Sequence, residues 1–369
     1  MKFICSQAAL SKALNTVSKA VSVRTTIPIL KGVLLTVKDN RLTLSASDLD
    51  MSIETSIDVQ SGEDGASVVS AKLFGEIIRK LPNALLSAEL KSDNKLYINC
   101  LGSDFNIVSL PAEEFPVIKG INSKEFYDIK KKDFIELINK VIFAASIDEK
   151  KGILTGALLN FTSNGLEMVA LDGFRMAVAQ SEITINKEKK IVIPARILAE
   201  INKILKEDEG SDTLSLLIDE KKVEVLTEET RIVARLLEGE FIKYKDIIPA
   251  SYKTRIVVSK EEMLSGIERA SLLAKEGKNN LIKITVEDGN VDITSRSEEG
   301  NVNEHLSAEI NGDNIVIGFN SKYLIDVLKA ISDDEIAFEM GTSVSSCLIK
   351  PVDGDAYTYL VLPVRITAA

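Results

Sequence analysis

The sequence predicts an α+β fold of three repeated domains, each with two helices on antiparallel sheets. Two observations predict it. A short strand, a small break and an amphipathic helix recur along the chain at nearly constant spacing, and short alternating strands outnumber the helical segments. Such an excess of strands favours antiparallel sheets with the helices on one face of each domain. With 369 residues, 45% of them hydrophobic, the chain can form two or three separate cores.

The repeat is most evident where a strand leads into a helix that begins with a basic residue. These segments are 68–81, 191–205 and 315–331, and their basic residues are Lys72, Arg196 and Lys322. The basic residues are separated by 124 and 126 positions.

Each repeat also begins with another strand followed by a helix. These segments lie at 2–21, 127–145 and 255–274, and a pair of strands follows each of them. We therefore predict domains at 1–121, 122–252 and 253–369, each made of two strand-helix-strands units.

Six segments have apolar residues at helical spacing. These predicted helices are 7–20, 72–80, 131–141, 196–206, 260–275 and 322–331. They contain 16 Lys and Arg against 8 Asp and Glu, so they carry a charge of +8 and the rest of the chain carries −18. A basic helical face could hold a polyanion through its phosphates without reading bases. The alternative is that the helices are rich in lysine for solubility alone.

A hairpin with an unusual composition is predicted at LDGFRMAV (171–178). The preceding residues 165–170 alternate as a half-buried strand does, Asp172-Gly173 has turn composition, and Phe174-Arg175-Met176 begins the next strand. The corresponding residues of the other two repeats are DLDMSI and SEEGNV, so only the middle repeat has this sequence.

The residues that most enzymes need are scarce. The chain has one histidine, His305, which is expected to be solvated or hydrogen-bonded rather than catalytic. Its three cysteines, Cys5, Cys100 and Cys347, are far apart and are predicted to be buried thiols. We find no phosphate-binding loop and no nucleophile-base pair.

Acidic clusters at 48–50, 207–212 and 332–335 lie at predicted turns, where Asp and Ser bond their own backbone. We therefore expect no catalytic residue, no metal and no cofactor. No stretch has the roughly 18 uninterrupted apolar residues of a membrane helix, so we expect a cytoplasmic protein without a membrane partner.

Six segments together are typical of one known family: MKFIC at the start, RTTIPILKGVLL (24–35), LPAEEFPVI (110–118), LDGFRMAV (171–178), EGEFIKYKDIIP (238–249) and YLVLPVRI (359–366). Through them the sequence resembles, over essentially the whole chain, the family of the bacterial DNA polymerase III beta subunit, or beta sliding clamp. The resemblance implies a non-catalytic subunit whose two copies join head to tail into a closed ring of clamp domains around double-stranded DNA, without sequence preference. It also implies partners: the replicative polymerase catalytic subunit, a clamp loader, and other polymerases and repair proteins that carry a clamp-binding peptide.

The resemblance also implies a pocket for partner peptides between the middle repeat and the C-terminal strand. The matching residues are Leu154, Leu171, Gly173, Phe174, Arg175, Met176, Ile242, Ile247, Leu360, Leu362, Pro363 and Val364. Ordinary core packing is the alternative for the apolar members. The chain departs from the family pattern at Ile242, which is often Pro, at Asp246, which is often Arg, and at Gly152-Ile153, where some members have aromatic residues.

DNA contacts and subunit contacts are implied in the same way. The DNA-facing candidates are Arg24, Lys72, Arg79, Lys80, Arg196 and Lys203, and the subunit-contact candidates are Phe105, Ile107, Leu272 and Leu273. A solvated helix charge is the alternative for each basic residue, and core packing is the alternative for the adjacent leucines. The rival function is a three-repeat protein scaffold that does not encircle DNA, which would leave the basic helices unexplained.

Overall fold

A computed structural model of the chain describes residues 1–22, 25–122, 126–183, 187–277, 279–287 and 289–366. The α-helices in these ranges are α1 (Gln7–Ser18), α2 (Ala71–Lys80), α3 (Lys131–Val141), α4 (Ala195–Glu207), α5 (Lys260–Ala274) and α6 (Ser321–Ala330). Short 3₁₀ helices lie at Pro28–Lys31, Ala112–Glu114, Ile142–Ala144, Glu149–Thr155 and Tyr244–Ile247. Each predicted helix is confirmed, with its ends within two residues of the predicted ones.

Strands make up most of the remaining regular structure. They are β1 (Lys2–Ser6), β2 (Gly32–Lys38), β3 (Arg41–Ser47), β4 (Met51–Asp58), β5 (Gln60–Glu63), β6 (Gly65–Ser70), β7 (Leu85–Leu90), β8 (Lys95–Cys100), β9 (Ser103–Leu110), β10 (Phe126–Lys130), β11 (Gly156–Thr162), β12 (Gly165–Leu171), β13 (Arg175–Ser181), β14 (Lys189–Pro194), β15 (Thr213–Ile218), β16 (Lys222–Leu226), β17 (Thr230–Arg235), β18 (Thr254–Ser259), β19 (Leu281–Glu287), β20 (Asn290–Ser297), β21 (Gly300–Ser307), β22 (Glu309–Gly312), β23 (Ile315–Asn320), β24 (Glu335–Met340), β25 (Cys347–Pro351) and β26 (Tyr357–Val361).

The chain forms two compact units. Unit 1 comprises residues 1–132 and 200–236, and unit 2 comprises residues 133–199 and 237–369. Unit 1 contains a 13-stranded sheet in the order β10-β15-β16-β17-β4-β3-β2-β6-β9-β8-β7-β1-β5. Unit 2 contains a nine-stranded sheet, β14-β11-β12-β13-β26-β25-β24-β18-β22, and a four-stranded sheet, β21-β20-β19-β23. All the pairings are antiparallel, so the predicted α+β class is confirmed.

The predicted internal repeat is visible in the strand order. The same four-strand arrangement occurs as β4-β3-β2-β6, β13-β12-β11-β14 and β21-β20-β19-β23. Lys72, Arg196 and Lys322 are each the second residue of their helix. The domain boundaries near 121 and 252 stay a prediction.

Equivalent backbone hydrogen bonds occur at the start of the first helix of each repeat. The N–H groups of Gln7, Lys131 and Lys260 donate to the carbonyls of Ala84, Asp212 and Asp334, at 3.0, 2.8 and 2.8 Å. Each bond ties the start of the helix to the loop that follows the second helix of the same repeat. These bonds satisfy N–H groups that the first turn of a helix leaves without a partner.

Local sequence explains where the helices begin and end, as α2 illustrates. The side chain of Ser70 caps the helix by accepting the N–H of Leu73 at 3.4 Å. Phe74 and Ile78, four residues apart, are buried on one face. Pro82 follows two residues beyond the last helical residue and cannot continue the helix.

Two strand pairs join the predicted repeats, and we call them joints. In the first joint, within unit 1, β17 pairs with β4 from Thr230↔Thr55 to Ala234↔Met51. In the second joint, within unit 2, β13 pairs with β26 from Arg175↔Val361 to Ala179↔Tyr357. Both joints pair the last strand of one half-repeat with the last strand of another.

Two equivalent strands have no such partner among the described residues. The strand β9 pairs with β8 along its length but reaches β6 only at Ser109 and Leu110. The strand β21 pairs with β20 alone. Of the six strands that end a half-repeat, β9 and β21 are therefore the two that keep an open backbone edge among the described residues.

Several smaller predictions can be compared with the fold. The three cysteines are free and buried, and burial raises the pKa of the Cys5 thiol to about 12. The carboxylate of Asp48 accepts the N–H groups of Asp50 and Met51 at 3.0 and 2.7 Å, which confirms a turn there. His305 is exposed and bonded to Asp292 at 2.6 Å. In the part of the chain that the structure describes, no helix is long and apolar enough to cross a bilayer.

Candidate functional site

The turn between β12 and β13 is built by one aspartate and one glycine. Asp172 Oδ1 accepts the N–H groups of Phe174 and Arg175 at 2.8 and 3.0 Å. Gly173 has φ +93°, a conformation that side chains rarely adopt, and a Cβ there would meet only Lys151 Nζ at 3.8 Å. The positive φ, rather than a lack of space for a side chain, therefore explains why residue 173 is glycine.

The strand prediction was wrong for Phe174. This residue lies in the turn, because the Asp172 side chain holds its N–H, and β13 begins at Arg175. As a result the Phe174 ring is 52% exposed instead of packed in the sheet. It stacks on Tyr323 of α6 with a ring separation of 6.0 Å, and Lys151 Nζ lies 5.3 Å from its centre.

Arg175 holds the turn against its surroundings in unit 2. Its guanidinium donates to Asp172 Oδ2 at 3.2 Å, to Asp326 Oδ2 at 2.6 Å and to the Phe143 carbonyl at 2.7 Å. The same group lies over the Tyr323 ring at 4.8 Å. The bonds leave from Nε, Nη1 and Nη2 of one rigid plane that also lies over an aromatic ring, an arrangement that a lysine ammonium cannot reproduce. Arg175 therefore fixes the position of the exposed turn beside it.

Below the turn is a buried apolar cluster on the second joint. Three predicted pocket residues belong to it, namely Leu171, Met176 and Leu360, and a fourth, Leu154, packs against it. The other buried members, which the sequence analysis did not name, are Leu158, Val169, Val178, Val192, Tyr244 and Leu348. Strand alternation would have indicated Val169 and Val178, each two residues from a predicted member on the same strand.

Exposed apolar side chains surround this cluster at the surface. Phe174, Ile242, Ile247 and Leu362 are each between 39% and 52% exposed. Burial of large apolar side chains that are about half exposed lowers the free energy, so a partner that covers them is bound more tightly. The buried cluster could form the floor of an apolar surface and these four exposed residues its rim.

The C-terminal segment is tied down at two points. The N–H of Leu362 donates to the Phe174 carbonyl, and the N–H of Val364 donates to the Gly318 carbonyl, both at 2.8 Å. A Cβ on Gly318 would lie 2.7 Å from the Val364 carbonyl oxygen, so glycine is required for this close approach. Pro363 and Val364 are half-buried between the two bonds. The segment is thus fixed beside the β12–β13 turn.

Tyr244 links the 3₁₀ helix that carries Ile247 to the sheet. Its hydroxyl donates to Glu167 Oε1, which also accepts Asn160 Nδ2 at 3.2 Å. Burial, with the hydrogen bond to Glu167 adding to it, raises the pKa of the Tyr244 phenol well above its ordinary value. The phenol therefore stays a neutral donor at neutral pH.

A basic groove lies between α1 and α2 in unit 1. The groove has a volume of about 540 Å³, and its charged lining residues are Lys12, Lys72 and Arg79 with one acidic residue, Glu76. Asn15 also lines it. Lys72, Arg79 and Lys80 are exposed, and the described part of the chain offers them no carboxylate partner.

The other DNA-facing candidates have different surroundings. Lys203 is exposed but pairs with Glu200 at 2.8 Å, and Arg196 is exposed near the start of α4. Arg24 lies outside the described residues.

The subunit-contact candidates lie on or near the two open strand edges. On β9, Phe105 is exposed whereas Ile107 is buried within its own unit. On α5, which packs against β20 and β21, Leu272 is 65% exposed and Leu273 is half-buried. An apolar helix residue with this exposure is not core packing, which was the alternative for Leu272.

Comparison with known proteins gives one consistent result. Models of the DNA polymerase III beta subunit match the chain with the N-terminal domain over residues 1–119, the central domain over 128–243 and the C-terminal domain over 245–365. A Staphylococcus epidermidis protein named beta sliding clamp is 32% identical over 363 residues, which cover 95% of this chain and 96% of that protein.

Solved structures agree. The DNA polymerase sliding clamp from Bacillus subtilis matches with a TM-score of 0.95 and 33% identity over 100% of both chains. The DNA polymerase III subunit beta of Pseudomonas aeruginosa, solved with bound griselimycin, matches with a TM-score of 0.93 and 27% identity, over 99% of this chain and 100% of that one.

Proposed function

Because this chain belongs to the DNA polymerase III beta subunit family, we propose that it works as a DNA sliding clamp. Two copies join head to tail into a closed ring that encircles duplex DNA and tethers a polymerase. The family is a processivity factor without catalytic activity of its own. The polymerase catalytic subunit, the clamp loader, and other polymerases and repair proteins with a clamp-binding peptide are the proposed partners.

The pairing of the outer strands is the observation that carries the ring. In both joints, β17–β4 and β13–β26, the last strands of two half-repeats pair with each other. Among the six last strands, this leaves β9 and β21 as the remaining pair. If β9 of one copy pairs with β21 of another, all the equivalent edges are satisfied and the assembly closes with two identical contacts. Leu272 and Leu273 beside β21 then meet the apolar residues of β9 across the contact.

Topological retention explains how an acidic protein can work on DNA. The chain has a net charge of −10, yet basic residues line the α1–α2 groove. Phosphate contacts are independent of base sequence and weaken as salt rises. A ring needs only weak contacts of this kind, because it leaves DNA by opening a contact or by reaching an end.

The apolar surface at the second joint is the proposed peptide site. Its buried floor and exposed rim, with the half-buried Pro363 and Val364, suit a short segment that inserts two or three apolar side chains. Burial of one Leu and one Phe would contribute roughly 3–6 kcal/mol before ordering costs. An affinity near about 1 μM corresponds to about 8 kcal/mol, so other contacts of the peptide must supply the remainder, and binding of this strength lets partners exchange.

Encirclement is tested by retention on DNA of different topology. We expect protein loaded by its clamp loader onto a nicked circular plasmid to co-elute with the DNA in gel filtration, and to be lost when the plasmid is cut once. A protein scaffold without encirclement would behave alike on circular and cut DNA, and that result would contradict the proposal.

The peptide site is tested by shortening one floor residue and one rim residue. We expect Met176→Ala combined with Leu362→Ala to weaken binding of a polymerase C-terminal peptide by at least about tenfold, because both side chains lose apolar contact with it. Isothermal titration calorimetry measures the affinity, and circular dichroism checks the fold. Ile147→Ala, at a fully exposed position of unit 2, is the matched control. Unchanged affinity in the double variant would rule out this site.

The subunit contact is tested at α5. Leu272→Ala with Leu273→Ala removes apolar surface next to β21, so sedimentation equilibrium should give monomers at concentrations where the unmodified protein is dimeric. Val117→Ala, which shortens an 82% exposed apolar side chain, should leave the dimer intact. A persistent dimer in the double variant would refute the assignment.

The basic face is tested by the salt dependence of DNA binding. Removing Lys72, Arg79 and Lys80 together should lower the slope of log K against log salt by up to about three, at about 0.9 for each lost phosphate contact. Changing the exposed Lys38, Lys119 and Lys221 to alanine provides a control with the same loss of charge. Equal slopes for the two triple variants would show that α2 does not contact DNA.

A further inference from the structure

An acidic turn at the end of α4 contacts basic side chains of α1 within unit 1. The turn consists of Glu207, Asp208 and Glu209, and Glu207 is the last residue of the helix. A helix has a partial negative charge at its C-terminus, so three carboxylates there are unfavourable for the helix itself. Their stabilisation must come from the cations around them.

Two of the carboxylates pair with lysines of α1. Lys12 Nζ lies 2.7 Å from Glu209 Oε2, and Lys19 Nζ lies 2.8 Å from Glu207 Oε2. Asn15 Nδ2 also donates to Glu207 at 3.3 Å. Positions 12, 15 and 19 share one face of the helix. The acidic turn therefore neutralises the basic face of α1.

The third carboxylate has a different environment. Lys131 Nζ lies 2.8 Å from Asp208 Oδ2 and also donates to the carbonyls of Asp208 and Gly210 at 3.1 and 3.3 Å. Both side chains of this ion pair are largely enclosed, so it anchors the turn. By contrast, Lys12 and Glu209 are 54% and 87% exposed, and exposed ion pairs exchange partners readily. Lys19 is only 11% exposed, so Lys12 is the lysine of α1 that a phosphate can reach.

The neutralised lysine is part of the basic groove described above. Lys12 and Asn15 line the α1–α2 groove together with Lys72 and Arg79. The cations on the α2 side have no carboxylate partner among the described residues, whereas the cation on the α1 side is paired. The hydrogen bond from Lys12 lowers the pKa of Glu209, as expected for a carboxylate that is paired with a cation.

We propose that Glu207 and Glu209 act as built-in competitors for DNA phosphates on the basic face of α1. This proposal rests on the proposed function as a DNA clamp. A phosphate that approaches Lys12 must displace a carboxylate that is already bound there. The number of phosphate contacts sets both the strength and the salt dependence of DNA binding. Ion pairing of the α1 lysines with these carboxylates therefore keeps DNA binding weak. A weak grip suits a protein that must slide while its topology prevents escape.

The test removes the two negative charges and keeps the shapes of the side chains. Glu207→Gln with Glu209→Gln should strengthen binding to a short linear duplex of mixed sequence by about tenfold at low salt, and should steepen the salt slope by about one. Fluorescence anisotropy of the labelled duplex over a range of sodium chloride concentrations measures both quantities. A linear duplex can enter through its ends, so this assay reports contacts and not topology.

Three controls make the result specific. Glu113→Gln with Glu114→Gln makes the same charge change at exposed positions of another segment, and an equal gain there would overturn the proposal. Adding Lys12→Ala to the Glu207/Glu209 variant should remove most of the gain, since Lys12 is the exposed lysine of the two and Lys19 is largely enclosed; an undiminished gain would also overturn it. Glu209→Gln alone, which alters only the exposed pair, should give most of the effect and keeps the test valid if the double variant folds poorly.

Failure of this proposal is distinguishable from failure of the proposed function. If the unmodified protein is retained on circular DNA but the variants bind the linear duplex no better, only the competitor role is wrong. If the unmodified protein is not retained on circular DNA, the clamp function itself fails.

Discussion

The fold depends on satisfying the backbone of its outermost strands. An unpaired strand edge exposes a row of N–H and C=O groups that will bind another strand. Each half-repeat ends in such a strand, and pairing of β17 with β4 and of β13 with β26 covers four of them. The same constraint applies to β9 and β21, which have no such partner among the described residues. The proposed head-to-tail assembly would use the strand geometry that the chain already uses twice within itself.

The two joints have the same antiparallel strand pairing, but the side chains are charged at the first joint and apolar at the second. At the first joint, Arg231 forms ion pairs with Glu54 and Glu224, with Nε 2.7 Å from Glu224 Oε1. At the second joint the comparable surface has Met176 and Leu360. Ion pairs of this kind close an interface against apolar ligands, whereas an apolar floor with an exposed rim can accept them. This difference explains why the proposed peptide site occurs at one joint only.

Sequence periodicity was sufficient to predict the helices, because their apolar spacing and caps are local signals. The pocket residues were accessible only through the family resemblance, since they come from segments nearly 200 residues apart in the sequence. The position of Phe174 in the turn depends on hydrogen bonds from Asp172, which composition does not reveal. Counting helix charges also overstated the open basic surface, because Lys12, Lys19 and Lys131 find carboxylates about 80 to 200 positions away along the chain.

The central claim is that two copies close into a ring wide enough for duplex DNA. Negative-stain electron microscopy of the purified full-length protein, with two-dimensional class averages, tests it most directly. The account predicts closed rings with a central hole about as wide as a hydrated DNA duplex and two equivalent contacts on opposite sides. Solid particles without a hole, or open crescents of single chains at concentrations where dimers form in related proteins, would contradict it.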